Sequence, residues 1–242
     1  MNLWRYLDIG KLLDVVLNRR LYFTNVGRLP DPFEGEPSDL YLEQIRIYFM
    51  TYSDNDYQEQ FQREVDVLHR RHDSTFVNCW RIGDYDSEAM WQLYCGSDAG
   101  VAIKTTEKAL LDHFVNQSTE RIVHSPVEYI DHSKVNQSLG LADNLYFFKR
   151  KSFEHESEYR FLIELSEPAP KREGLHVDFA VPDEEIEILI NPSAPRWYAE
   201  VIIDMIAAMG RSFQKVSHNP VQSIRSLYSK RDASNMRMES NG

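Results

Sequence analysis

Two glutamates separated by one residue stand in segment 154–165 (EHESEYRFLIEL), where a β-strand is predicted over 157–165. In a strand, Glu156, Glu158 and Arg160 share one face, whereas Tyr159 and Phe161 lie on the opposite, apolar face. Carboxylates two residues apart lie about 7 Å from each other and repel. Arg160, water, or a ligand with hydroxyl groups and positive charge must offset that repulsion. The alternative is a solvated strand face with an ordinary Glu–Arg ion pair.

Cationic side chains stand near this acidic pair and near the start of the chain. Segment 145–151 (LYFFKRK) combines aromatic residues with Lys149, Arg150 and Lys151, a mixture typical of a pocket wall. Basic residues near a helix C-terminus also favour the helix dipole, so a structural role stays open. Arg5 lies between two leucines on one face of a predicted strand, 3–7. It is either exposed at a sheet edge or directed into a polar pocket, where it could hold a phosphate.

Further polar groups follow a second predicted strand, 20–26. Phe23, Thr24 and Asn25 end this strand, and the Thr and Asn side chains can hydrogen-bond a ligand or cap the turn. Asp31 and Glu34 come next, in a loop stiffened by two prolines. Loops held in one shape on a rigid scaffold often carry binding residues.

The elements that must position these residues follow an α+β pattern without a βαβ rhythm. Strands are predicted over 3–7, 20–26, 75–82, 100–105, 121–130, 157–165, 176–181 and 186–190. Helices are predicted over 9–18, 88–94, 107–115, 141–151 and 197–209. The charged, periodic segment 40–73 predicts a helical insertion of two helices with a break at 53–55. We therefore expect a single domain over 1–228 and a disordered tail over 229–242.

The composition excludes several classes of protein. The chain has 242 residues, 27 Lys and Arg against 38 Asp and Glu, a net charge of −11 and 42% hydrophobic residues, which is typical of a soluble globular protein. It has no uncharged apolar run of the about 20 residues that cross a membrane, and charges interrupt any signal-peptide core, so we expect a cytoplasmic protein without a membrane partner. The absence of G-x-G-x-x-G and G-K-[ST] motifs excludes a Rossmann dehydrogenase and a P-loop NTPase. Two cysteines and the histidine spacing predict no metal site.

Several motifs along the chain resemble, in order, those of the bacterial domain of unknown function 2971 family. They are residues 21–25 (LYFTN), 31–35 (DPFEG), 90–94 (MWQLY), 156–160 (ESEYR) and 190–194 (INPSA). The resemblance spans residues 3 to about 226. It implies kinship and supplies no activity.

A second resemblance is to mono-ADP-ribosyltransferases, which use an Arg on the first strand, an aromatic–Ser/Thr segment on the next and a Glu-x-Glu near a later strand. Arg5, Phe23-Thr24 and Glu156-x-Glu158 occur here in that order. The resemblance implies a mixed or antiparallel split β-sheet with flanking helices, and NAD as substrate without a metal. Arg5 would bind the phosphates, Glu158 would stabilise an oxocarbenium-like transition state, and Glu156 would orient the acceptor or act as general base. The candidate NAD-binding residues are Arg5, Phe23, Thr24, Asn25, Asp31, Glu34 and Lys149.

Two other functions stay open at this point. One is a non-catalytic module that binds a nucleotide or a protein. The other is a magnesium-dependent nuclease or hydrolase with Asp31, Glu34, Glu156 and Glu158 as ligands, although the E-x-K arrangement common in nucleases is absent. For the transferase, the partners implied are a nucleotide and an acceptor protein or nucleic acid, and the cellular role implied is that of a toxin or phage-defence enzyme.

Overall fold

The computed structural model describes residues 1–52, 56–96, 99–117, 122–131, 142–165 and 172–219, so the predicted tail at 229–242 lies outside the described residues. The strands are β1 (Asn2–Leu7), β2 (Arg20–Asn25), β3 (Thr75–Ile82), β4 (Val101–Thr106), β5 (Ile122–Pro126), β6 (Glu128–Ile130), β7 (Phe148–Arg150), β8 (Glu158–Glu164), β9 (Gly174–Asp178), β10 (Glu187–Ile190) and β11 (Lys215–His218). The helices are α1 (Ile9–Asn18), α2 (Asp39–Tyr52), α3 (Tyr57–Ser74), α4 (Glu88–Cys95), α5 (Glu107–Gln117) and α6 (Arg196–Ala208). Within these ranges no helix has the length and apolar character needed to cross a membrane.

Nine of the strands form one sheet. Its main order is β11-β10-β4-β1-β3-β2-β9, with β8 paired to β3 and β5 paired to β8. The pairs are antiparallel except for β10 with β11, and β6 and β7 form a separate parallel pair. A mixed, mostly antiparallel sheet with flanking helices confirms the predicted α+β class.

The sheet divides at β3. β8 pairs along one edge of β3 from Thr75 to Arg81, so β1 and β2 must share the other edge. β1 joins that edge at its far end, with Leu3 opposite Ile82, and β2 joins it at its near end, with Asn25 opposite Phe76. Between these two points, residues 78–80 have no ladder partner in β1 or β2. The sheet is therefore forked, and a gap opens between β1 and β2.

The main hydrophobic core lies on one face of the sheet and follows the alternation of the strands. Leu3 and Leu7 of β1 pack there, together with Leu12 and Val16 of α1. Helix α1 begins after Asp8, whose carboxylate accepts a hydrogen bond from the Lys11 amide at 2.8 Å and so satisfies a free donor of the first turn. This helix connects β1 to β2 and closes the core side of the fork.

The sequence predictions for segments 141–151 and 121–130 are wrong. The segment predicted as a helix over 141–151 contains a 3-10 helix at Ala142–Phe147, strand β7, and a second 3-10 helix at Lys151–Glu156. Pairing of β7 with β6 and ion pairs of Lys149 stabilise this path, so tertiary contacts outweigh the local helical spacing. The strand predicted over 121–130 divides after Pro126, which lacks an amide hydrogen for the ladder, and the chain then continues into β6.

Candidate functional site

A cavity of about 440 Å³ opens at the fork of the sheet. Strands β1, β2, β3 and β8 contribute to its wall, together with the loop after β2, strand β7 and helices α1 and α4. Seven of the nine residues proposed from the sequence line it: Arg5, Thr24, Asp31, Glu34, Lys149, Glu156 and Glu158. The fold therefore brings most of the candidate residues together.

The other two candidates, Phe23 and Asn25, do not line the cavity. Phe23 alternates with Thr24 along β2, so its fully buried ring packs in the main core, 5.9 Å from the ring of Phe114. The Asn25 side-chain amide donates to the carbonyl of Thr75 at 3.2 Å, and its oxygen accepts from the Gly27 amide at 3.0 Å. Phe23 is a core residue, and Asn25 caps the turn that follows β2.

Arg5 extends into the gap between β1 and β2. Its Nη1 donates to the carbonyl of Cys79 at 2.7 Å, and its Nη2 donates to the carbonyl of Tyr22 at 3.4 Å. No carboxylate of the described residues lies within 4.0 Å of this guanidinium. Burial lowers the pKa of Arg5, because removal from water penalises the charged form. A partly buried cation with no carboxylate of the described ranges beside it favours the binding of an anion.

Glu158 and Arg160 share the cavity face of β8, as the alternation predicts. The Arg160 side chain is only 1% exposed, and its Nε lies 2.6 Å from Glu158 Oε2. Its other nitrogens bind the Glu34 carboxylate and the carbonyl of Tyr146. Burial opposes the ionisation of Glu158, but the positive charges of Arg160 and Lys149 outweigh it and hold the pKa of this carboxyl below its ordinary value.

Glu156 reaches the same place from a different element. It ends the 3-10 helix at Lys151–Glu156, and Ser157, with φ of 45°, turns the chain into β8. The prediction that Glu156 and Glu158 lie on one strand is therefore wrong, yet both side chains meet at Lys149. Burial, together with the adjacent Glu158, raises the pKa of Glu156 to about 7. Glu156 can consequently exchange a proton near neutral pH.

The loop after β2 places Glu34 within this cluster. The Asp31 carboxylate accepts two bonds from Arg150 Nε, at 2.9 and 3.1 Å, and also accepts the Phe33 amide at 3.2 Å. Gly35 has a φ of +77°, and a Cβ there would lie 2.8 Å from the ring of Tyr146. These constraints hold the loop in one shape, so Asp31 has a structural part in presenting Glu34.

The resulting cluster contains three carboxylates, of Glu34, Glu156 and Glu158, and two cations, of Lys149 and Arg160. Each of these side chains is at most 6% exposed. One carboxylate is thus in excess, which explains why one member of the cluster retains its proton to a higher pH. The sequence analysis placed Arg160 on one face with the two glutamates as a possible counter-charge, but it did not include Arg160 among the candidate site residues.

The chain is similar to one protein-family model and to a solved structure. The curated protein sequences contain no match. Among solved structures, Thermus sp. 2.9 DarT in complex with ADP-ribosylated ssDNA is similar at 9% sequence identity and a TM-score of 0.40, covering 90% of this chain and 94% of that chain. The family model described as "Protein of unknown function (DUF2971)" matches residues 90–161, which confirms the predicted family resemblance over that segment.

Proposed function

We propose that the chain is an NAD-processing enzyme of the ADP-ribosyltransferase type, which breaks the bond between nicotinamide and ribose in the forked-sheet cavity. The observation that carries the proposal is that Arg5, Thr24, Glu156 and Glu158 all line this one cavity. Its volume of about 440 Å³ suits a small-molecule ligand, since such sites span roughly 300–1,000 Å³.

Arg5 would bind the pyrophosphate of NAD. Its guanidinium is held by two backbone carbonyls, which fix its direction without neutralising its charge. An anion bound there gains charge-assisted hydrogen bonds, whose contribution is about twice that of neutral ones. Thr24 stands where β2 rejoins β3, opposite Val77, and would keep the gap beside Arg5 open.

Glu158 would stabilise the transition state. When the ribose C1′–N bond breaks, neutral nicotinamide leaves with the bonding electrons, and positive charge develops on the sugar. The cluster around Glu158 has one more carboxylate than cations, so it is negatively charged when Glu156 is ionised. Because these side chains are largely shielded from water, the cluster would attract the positive charge on the sugar.

Glu156 would act as the general base. An acceptor hydroxyl attacks C1′, the new C–O bond forms, and the released proton passes to the Glu156 carboxylate. With water as acceptor, the products are ADP-ribose, nicotinamide and a proton. A base with a pKa of about 7 suits this step at neutral pH. We further propose a protein or nucleic-acid acceptor, a cytoplasmic location and a role as a toxin or phage-defence enzyme.

The magnesium-dependent alternative requires carboxylates that are available to a hard cation. Here the oxygens of Glu34, Glu156 and Glu158 contact Lys149 and Arg160, while Asp31 contacts Arg150. Within the described ranges no group of three or more His, Cys, Asp or Glu residues is arranged to hold a metal. We therefore favour the NAD reaction over the nuclease.

The test is release of nicotinamide from NAD, measured by chromatography with and without cell extract as a source of acceptor. We expect turnover that survives EDTA and falls about 10²- to 10³-fold in Glu158→Gln, the range for loss of one preorganised electrostatic group. Glu164→Gln, at the exposed end of the same strand, is the matched control and should retain turnover.

Two outcomes contradict the proposal. NAD that stays intact although it binds in the cavity favours the non-catalytic binding module. Turnover that EDTA abolishes and Mg²⁺ restores favours the metal-dependent alternative.

A further inference from the structure

We propose that Lys149 is a positioning residue, whose ammonium group holds the Glu156 and Glu158 carboxylates side by side at the cavity wall. Its Nζ lies 2.5 Å from Glu158 Oε1, 2.7 Å from Glu156 Oε2 and 3.4 Å from Glu34 Oε1. The ring of Phe153 covers it, with the centroid 4.7 Å from Nζ. One ammonium thus joins three acids that come from three separate elements.

The backbone supports the same arrangement. Lys149 pairs with Tyr129 across the small β6–β7 sheet. The hydroxyl of Tyr129 in turn accepts the amide of Glu158 at 2.8 Å. Lys149 and Glu158 are therefore both attached to Tyr129, so the ammonium meets its carboxylates from a fixed position.

Removal of the ammonium would leave two adjacent carboxylates with only Arg160 to offset them. Arg160 forms ion pairs with Glu158 and Glu34, and among the described residues no ion pair joins it to Glu156. The Glu156 carboxylate would then have to hold a proton or move away from Glu158. The titratable and charged groups that face Lys149 and its carboxylates are Asp31, Glu34, Cys79, Tyr94, Tyr129, Arg150, Glu156, Glu158 and Arg160.

The experiment compares thermal unfolding of the full chain in wild type, Lys149→Ala and Lys151→Met at pH 5 and pH 8. We expect Lys149→Ala to lower Tm more at pH 8 than at pH 5, because protonation relieves the repulsion between the carboxylates. Propylammonium, which fits the space left by the side chain, should recover part of the loss, whereas tetramethylammonium at equal ionic strength should not. The exposed Lys151 serves as the control and should show neither effect.

A second variant covers the case in which Lys149→Ala does not fold. Lys149→Ala/Glu156→Gln removes one charge of each sign, so it should be more stable than the single variant at pH 8. An equal loss at both pH values without recovery by propylammonium, or a double variant no more stable than the single one, overturns the positioning role.

The catalytic consequence of this role rests on the proposed function and is measured separately. In Lys149→Ala, nicotinamide release should fall and then rise again with propylammonium. If wild type releases no nicotinamide, the proposed function fails, while the unfolding data still decide whether Lys149 positions the two carboxylates.

Discussion

The Glu156→Gln variant should lack a loss of stability that wild type undergoes as the pH rises. The glutamine amide imitates the protonated carboxyl, which is the form that the folded cluster prefers. Burial raises the pKa of Glu156 from 4.5 to about 7, so protonation favours the folded state. The stabilisation by that proton is complete below pH 4.5 and is lost as the pH rises through about 7.

The difference between these two pKa values corresponds to about 3 kcal/mol of unfolding free energy, and solvent that reaches the cavity would reduce this value. Between pH 5 and pH 8 we therefore expect wild type to lose about 2 kcal/mol relative to Glu156→Gln. Glu158 adds little in this interval, because its lowered pKa confines its contribution to more acidic pH.

The assay is urea unfolding of wild type, Glu156→Gln and the control Glu164→Gln at several pH values in this range. The informative quantity is the difference in unfolding free energy between variant and wild type, since other groups titrate equally in both. A difference that stays constant from pH 5 to pH 8, or one that grows toward acidic pH, would refute the reasoning about the charge excess.

Three other predictions concern the cavity and its border. Arg5→Met should weaken NAD binding about 10- to 150-fold by calorimetry, the equivalent of about 1.5–3 kcal/mol for charge-assisted hydrogen bonds, while the surface variant Arg28→Met should not; equal affinities would contradict a phosphate site at Arg5. NAD cleavage should fall about tenfold per pH unit below pH 6 and lose this dependence in Glu156→Gln; an unchanged slope would exclude Glu156 as the base. Asn25→Ala should cost about 1–3 kcal/mol of stability through lost hydrogen bonds and leave NAD affinity unchanged; weaker NAD binding at full stability would reverse its assignment.

Strand alternation accounts for the predictions that the structure reproduces. It placed Arg160 on the same face as Glu158, and it placed Tyr159 and Phe161 in the main core. It also left two alternatives for Arg5, and in the structure Arg5 lines the cavity. Alternation needs only local sequence, so these assignments did not depend on knowing which strands are neighbours.

The remaining features depend on contacts between distant parts of the chain. Phe23 is a candidate through the aromatic–Ser/Thr segment of the resemblance and Asn25 as a polar group at the strand end, although in a strand only alternate residues share a face with Thr24. The path around Lys149 is stabilised by carboxylates far along the chain or on other elements, and helical spacing gave no sign of it. The fork itself arises because β1 and β2 use opposite ends of one edge of β3, a pairing that local patterns do not encode.

The central claim is that Arg5 and the two glutamates act on one NAD molecule, and a crystal structure of Glu158→Gln with NAD tests it most directly. We predict the pyrophosphate within hydrogen-bond distance of the Arg5 guanidinium and the nicotinamide ribose against residues 156 and 158. NAD bound outside the forked-sheet cavity, or with its phosphates away from Arg5, would contradict the account.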